Sequence, residues 1–176
     1  MIDIQGRSGQ VSNFIPEIEL LKIIRIMQAF QMMPVDGGFC HTVDSQHKGY
    51  IWFKNHVMAP VENYFDRELK LICGMYLDLH EPLSTHSDIR PCEGTPLVSC
   101  LIPCSVDYQA HLCSRASTDV FNELDTGQGP PAQFNLQASY AWNRGDLIWW
   151  HTPLFHDIGI FRDFKTKQGI VLHTYE

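Results

Sequence analysis

No apolar run in this 176-residue sequence reaches membrane-spanning length, because charge or proline interrupts each one. The N-terminal stretch carrying Asp3, Gln5, Gly6 and Arg7 lacks the apolar core of a secretory signal. Dense Lys/Arg clusters are also missing. Thirteen Lys+Arg against 20 Asp+Glu leave a formal charge of -7, which gives no support to nucleic-acid binding. That balance does not exclude an anionic substrate, since one buried cation can hold a carboxylate locally. Paired C-x-x-C knuckles are absent: Cys92, Cys100, Cys104 and Cys113 have other separations, which argues against structural zinc. With no mark of secretion, reduced thiols in a cytoplasmic protein are expected. Neither an internal repeat nor a composition shift divides the chain, so residues 1–176 are expected to form one domain. An apolar fraction of 44% is that of a folded chain, not a disordered one.

What is present reads as helices first and strands afterwards. Pro16, with Glu17 and Glu19 behind it, opens a helix whose packed side is predicted to carry Ile18, Leu21, Ile24 and Phe30. Gly37 and Gly38 lead into an extended region, and the aromatic, β-branched run from Gly49 to Phe53 predicts a strand. Val61, Tyr64, Phe65, Leu69, Ile72, Tyr76 and Leu79 follow helical spacing, with Pro60 in the first turn and His80-Glu81-Pro82 as the stop. Strands are then predicted over Thr95–Ile102, Phe134–Trp142, Leu147–Trp150, Ile158–Phe161 and Ile170–Tyr175. Ser114 to Pro131 is rich in turn formers and reads as a loop, either at a cavity mouth or in solvent. The order suggests a mainly β protein with flanking helices, a curled antiparallel sheet or jelly roll.

The chemistry-bearing feature is His86-Ser87-Asp88, answered 70 residues later by His156. Side chains at i and i+2 of a strand point the same way, so His86 and Asp88 can share one face. A histidine from a neighbouring strand completes a two-histidine, one-carboxylate set, which suits non-haem Fe(II) because positions stay open for reactants. Asn143-Arg144-Gly145-Asp146 makes a polar turn into Leu147-Ile148-Trp149-Trp150, and His156 follows just beyond. His151 is a rival for the third ligand, though its place beside Trp150 also permits a structural hydrogen bond. Asp146 reads as a turn residue, and His80 and Glu81 as helix-end or surface groups. At most one of Trp149 and Trp150 should line a pocket. Ser99, Gln137, Tyr140, Tyr50 and Trp52 are candidate contacts with ordinary core or surface roles favoured.

These motifs resemble the Fe(II)/2-oxoglutarate-dependent oxygenases, particularly the compact prolyl-hydroxylase-like and phytanoyl-hydroxylase-like branches. Those proteins run H-x-D, a glycine-aspartate turn entering an apolar strand, the distal histidine, then a basic residue roughly ten positions on. The resemblance covers His86 to Glu176. It implies a double-stranded β-helix of the cupin-like kind, with His86, Asp88 and His156 as catalytic iron ligands. It implies 2-oxoglutarate and dioxygen as cosubstrates, with succinate formed while an unactivated C–H bond is hydroxylated. Lys167, eleven residues after His156, fits the cation that holds the distal carboxylate of 2-oxoglutarate. Lys165, Arg162 and Arg90 are its rivals.

Two other functions stay open: a cupin-like metal enzyme that does not use 2-oxoglutarate, and a noncatalytic jelly-roll binding domain. A small molecule or short peptide is the expected partner, with no nucleic acid and no membrane; the sequence sets no oligomeric state.

Overall fold

A computed structural model describes residues 2–81, 83–89, 94–106, 117–158 and 167–176. After a short strand β1 (Ser8–Val11), helix α1 runs over Glu17–Gln28. The Pro16 carbonyl accepts from the Glu19 and Leu20 amides at 3.0 Å, and the two first-turn glutamates complement the positive helix end. Its buried stripe is Leu20, Ile23, Ile24 and Met27. Ile18 and Leu21, expected inside, are 68% and 41% exposed. Two apolar stripes overlap at Ile24, and packing selected the one that Met27 extends.

A hairpin of β2 (Met33–Val35) and β3 (Gly38–Val43) leads to a second helical unit made of α2 (Tyr50–Phe53), a π-helical turn over Lys54–Met58, and α3 (Ala59–Phe65). The strand expected over Gly49–Phe53 is therefore helical. Phe53, Val57, Val61 and Phe65 recur every four residues and are fully buried, so helical winding gathers them on one side. Phe53 lies over Gly74, where an added Cβ would come within 2.3 Å of the ring.

The helix expected from Val61 to Leu79 ends at Phe65. Asp66 takes a left-handed conformation with φ 53°, and Lys70–Leu79 continues as strand β4. β4 pairs with β3 on one side and with β10 (Lys167–Tyr175) on the other. A central strand buried on both faces is apolar at almost every position, so helical and strand periods fit it equally well.

The remaining strands are β5 (Pro96–Val106), β6 (Ser117–Leu124), β7 (Leu136–Ala141), β8 (Leu147–His151) and β9 (Leu154–Ile158). β6 occupies much of the segment read as a loop; positions 114–116 lie outside the described residues. The strand expected over Ile158–Phe161 is instead the end of β9, its later part also lying outside them. One sheet runs β1-β8-β5-β10-β4-β3-β2 and the other β7-β6-β9, all pairs antiparallel. An isolated antiparallel bridge, His86 with His156, extends the smaller sheet beyond β9. Two antiparallel sheets face each other as a jelly roll.

Alternation along the large sheet divides the interior in two. Cys100, Ile102, Leu147, Trp149, Ile170 and Leu172 pack against the helices. Leu101, Ile148, Trp150 and Val171 face the small sheet, where Val120, Trp142 and Leu154 meet them. Cys40, Cys73, Cys100 and Cys104 are buried thiols, while Cys92 and Cys113 lie outside the described residues. Among the described residues no helix is long and apolar enough to cross a membrane.

Candidate metal centre

His86 and His156 are opposed across an antiparallel bridge and exchange both backbone hydrogen bonds, at 2.9 and 2.8 Å. Directly opposed residues project to the same face, so this pairing aims both imidazoles into the space between the sheets. Their rings lie 4.4 Å apart. Asp88, two residues beyond His86, joins them on that face. One nitrogen from each histidine and one Asp88 oxygen all lie within 4.8 Å of one another.

Hydrogen bonds orient the imidazoles. His86 Nδ1 is 2.6 Å from the Ser84 carbonyl and His156 Nδ1 is 3.3 Å from the Leu154 carbonyl. A carbonyl can only accept, so each Nδ1 carries its proton and each Nε2 presents a lone pair. His86 Nε2 is 3.9 Å from Asp88 Oδ1, and His156 Nε2 is 3.5 Å from Asp88 Oδ2. Donation from the far ring nitrogen to a backbone carbonyl is how metal-binding histidines are held. Two such lone pairs and a carboxylate on one face fit a divalent transition metal.

Two further side chains brace Asp88. The Trp150 indole donates to Oδ2 at 3.2 Å, and its ring lies 4.5 Å from that of His156. His173 Nδ1 is 3.4 Å from the same oxygen and 3.0 Å from the Ser99 hydroxyl. Burial favours the neutral Asp88 acid, but the charge that His173, His156 and His86 carry when protonated, together with the Ser99 hydroxyl, outweighs it and holds the carboxyl below its usual range. Burial also pushes the His156 imidazole down, against the pull of Asp88. The neutral base is the form a metal requires.

His173 was not among the residues singled out from sequence. Its signal is a histidine inside the apolar run Ile170-Val171-Leu172-His173, two residues on from inward-facing Val171. Of the paired tryptophans, Trp150 faces the site and Trp149 the helix side. His151 is not part of the cluster: its Nδ1 accepts from the Gly6 amide at 3.1 Å. Asp146 binds the turn, accepting from the Asn13 amide, Gln10 and Asn143 at 2.9 to 3.0 Å. His80 lies on the surface beside Asp78, and Glu81 is exposed. Tyr140 and Gln137 bind Ser8 on β1, while Tyr50 and Trp52 pack against the helix-side core.

A cavity of about 250 Å³ opens beside the cluster. Met75, Leu77, Leu79, Leu101 and Val171 form much of its wall, and Ser87, Thr118 and Asp36 add polar groups. No lysine or arginine is among its described lining residues. Lys167 is fully buried on β10, an even number of residues from Val171 and His173 and so on the same strand face. Its ammonium donates to the Ser117 carbonyl at 2.8 Å and lies 3.8 Å from the Trp142 ring centre. Burial pushes that ammonium well below its usual pKa, against the pull of Asp119 and Asp157. Arg90, Arg162 and Lys165 lie outside the described residues.

No protein-family model matches the sequence, and no curated protein matches it. Solved structures do. A prolyl-4-hydroxylase from Pseudomonas putida aligns at 11% identity and TM-score 0.64, over 96% of this chain and 92% of that one. A 2OG-Fe(II) oxygenase family protein from Burkholderia pseudomallei aligns at 12% identity and TM-score 0.67, over 96% and 84%. The α-ketoglutarate-dependent epimerase SnoN of nogalamycin biosynthesis aligns at 13% identity and TM-score 0.70, over 96% and 78%. This chain thus shares the jelly-roll fold of these solved structures.

Proposed function

We propose that this protein is a non-haem Fe(II)/2-oxoglutarate-dependent dioxygenase, with residues 1–176 forming one catalytic domain. His86, Asp88 and His156 hold the metal, and Lys167 receives the distal carboxylate of 2-oxoglutarate. The supporting observation is the opposed His86–His156 pair, each Nδ1 bonded to a carbonyl and each Nε2 turned toward Asp88. Iron held this way supplies oxidative decarboxylation of 2-oxoglutarate to succinate, coupled to attack on a substrate C–H bond.

The chain's own residues do the rest. Trp150 and His173 fix the Asp88 carboxylate, the apolar wall excludes water, and the cavity keeps the target close to the metal. Hydroxylation of an unactivated carbon is the expected outcome. A compact molecule or short peptide is the expected substrate; one related structure holds Fe3+, α-ketoglutarate and nogalamycin RO, another a peptide fragment. Buried thiols and a ferrous ion both suit the reducing cytoplasm.

Succinate formation by purified protein should require Fe(II) and 2-oxoglutarate together and vanish in Asp88→Ala. The wall's lack of a described cation favours one second reading, a cupin-like metal enzyme that does not use 2-oxoglutarate. Metal-dependent turnover that persists without 2-oxoglutarate would select it.

A further inference from the structure

Thr118 lines the cavity, and its hydroxyl accepts the Trp142 indole N–H at 2.8 Å. The face of that indole carries the Lys167 ammonium, 3.8 Å from the ring centre. We propose that Trp142 is the positioning residue of the cosubstrate's carboxylate site, one indole fixing the lysine at its face and the threonine hydroxyl at its edge. This rests on the reading of Lys167 as the clamp for 2-oxoglutarate.

Three observations carry the inference. A lysine head on a four-carbon stem has no preferred direction of its own. Here it is held between the Ser117 carbonyl and an aromatic face, well inside cation–π range. Thr118 lines the cavity and, having accepted from the indole, keeps its own O–H proton for donation to another acceptor. The ring also depends on Gly169: a Cβ there would come within 3.2 Å of Trp142 Cη2 and 2.8 Å of Leu101 Cδ1. Gly169 is two residues from Lys167, so the same strand that supplies the cation leaves the space for its platform. Among the described residues, Asp119 and Asp157, opposed across β6 and β9, are acidic groups whose charge reaches Lys167.

The test compares two ligands on Mn(II)-loaded protein by calorimetry. N-oxalylglycine carries the distal carboxylate of 2-oxoglutarate, whereas oxalate binds the metal without one. In Trp142→Leu, N-oxalylglycine should weaken roughly tenfold while oxalate stays within about twofold. Gly169→Ala, which displaces the ring by tenths of an ångström, should weaken N-oxalylglycine alone by roughly threefold. It decides the matter if Trp142→Leu does not fold. Equal weakening of both ligands would mean a merely structural role and overturn the proposal. Unchanged N-oxalylglycine binding in both variants, with Lys167→Met still weakening it, would overturn the role of Trp142 alone. Unchanged binding in Lys167→Met would remove the clamp and this inference with it.

Discussion

The two ends of β10 treat charge in opposite ways. At His173 the strand faces Asp88, and surrounding imidazoles and a hydroxyl favour the carboxylate despite full burial. At Lys167 the same face buries a cation that donates to the Ser117 carbonyl and rests on the Trp142 ring, and burial lowers its pKa against the pull of Asp119 and Asp157. The first end carries the donor set that the proposed function assigns to a metal. Under the proposed function the second end would receive the distal carboxylate of 2-oxoglutarate.

His86→Ala strikes the first end most directly. It should lower Mn(II) or Fe(II) affinity by more than about 100-fold, read by metal titration, since it removes a ligand and not only its support. Unchanged affinity would break the comparison at its metal end. Lys167→Met strikes the other end. N-oxalylglycine should bind roughly 10- to 100-fold more weakly while metal affinity stays within about twofold. Loss of both together would show that the ends are not independent.

His173→Ala and Trp150→Phe should each lower metal affinity by about tenfold through looser orientation of Asp88, with the fold retained by circular dichroism. The smallest effect concerns stability. Lys167→Met should raise the unfolding free energy of the metal-free protein by about 1 kcal/mol near neutral pH, in urea titrations. The folded protein holds this lysine's proton less tightly than the unfolded chain does. Wild-type stability relative to the variant should therefore climb as pH rises from the lowered folded value toward about 10.4, then level off. A flat difference across that range would mean the ammonium is not penalised by burial.

Legibility followed burial. Leu147–His151 and Lys167–Tyr175 are strands much where the apolar runs placed them, and alternation separated Trp149 from Trp150 correctly. The failures came where burial on both faces erased the period, as in β4, or where a run dense in strand-favouring residues was wound into a helix to cover the sheet, as at Tyr50–Phe53. Polar composition hid β6, whose outward positions Asp119, Asn122 and Glu123 imitate a loop. The site was legible where two residues lie close in sequence, as in His86-Ser87-Asp88. Trp142, Thr118 and Gly169 carry no local pattern, because their relation exists only across three separate segments.

By itself the sequence determined the residue types of the His86, Asp88 and His156 cluster, their order and the mostly β character, because residue chemistry and short-range alternation are properties of the chain. Only the tertiary structure decided that His86 and His156 stand opposite each other, that His173 backs Asp88, and that Lys167 rests on Trp142. Those relations are set by strand register between distant segments, where a slip of one residue would turn each side chain to the other face.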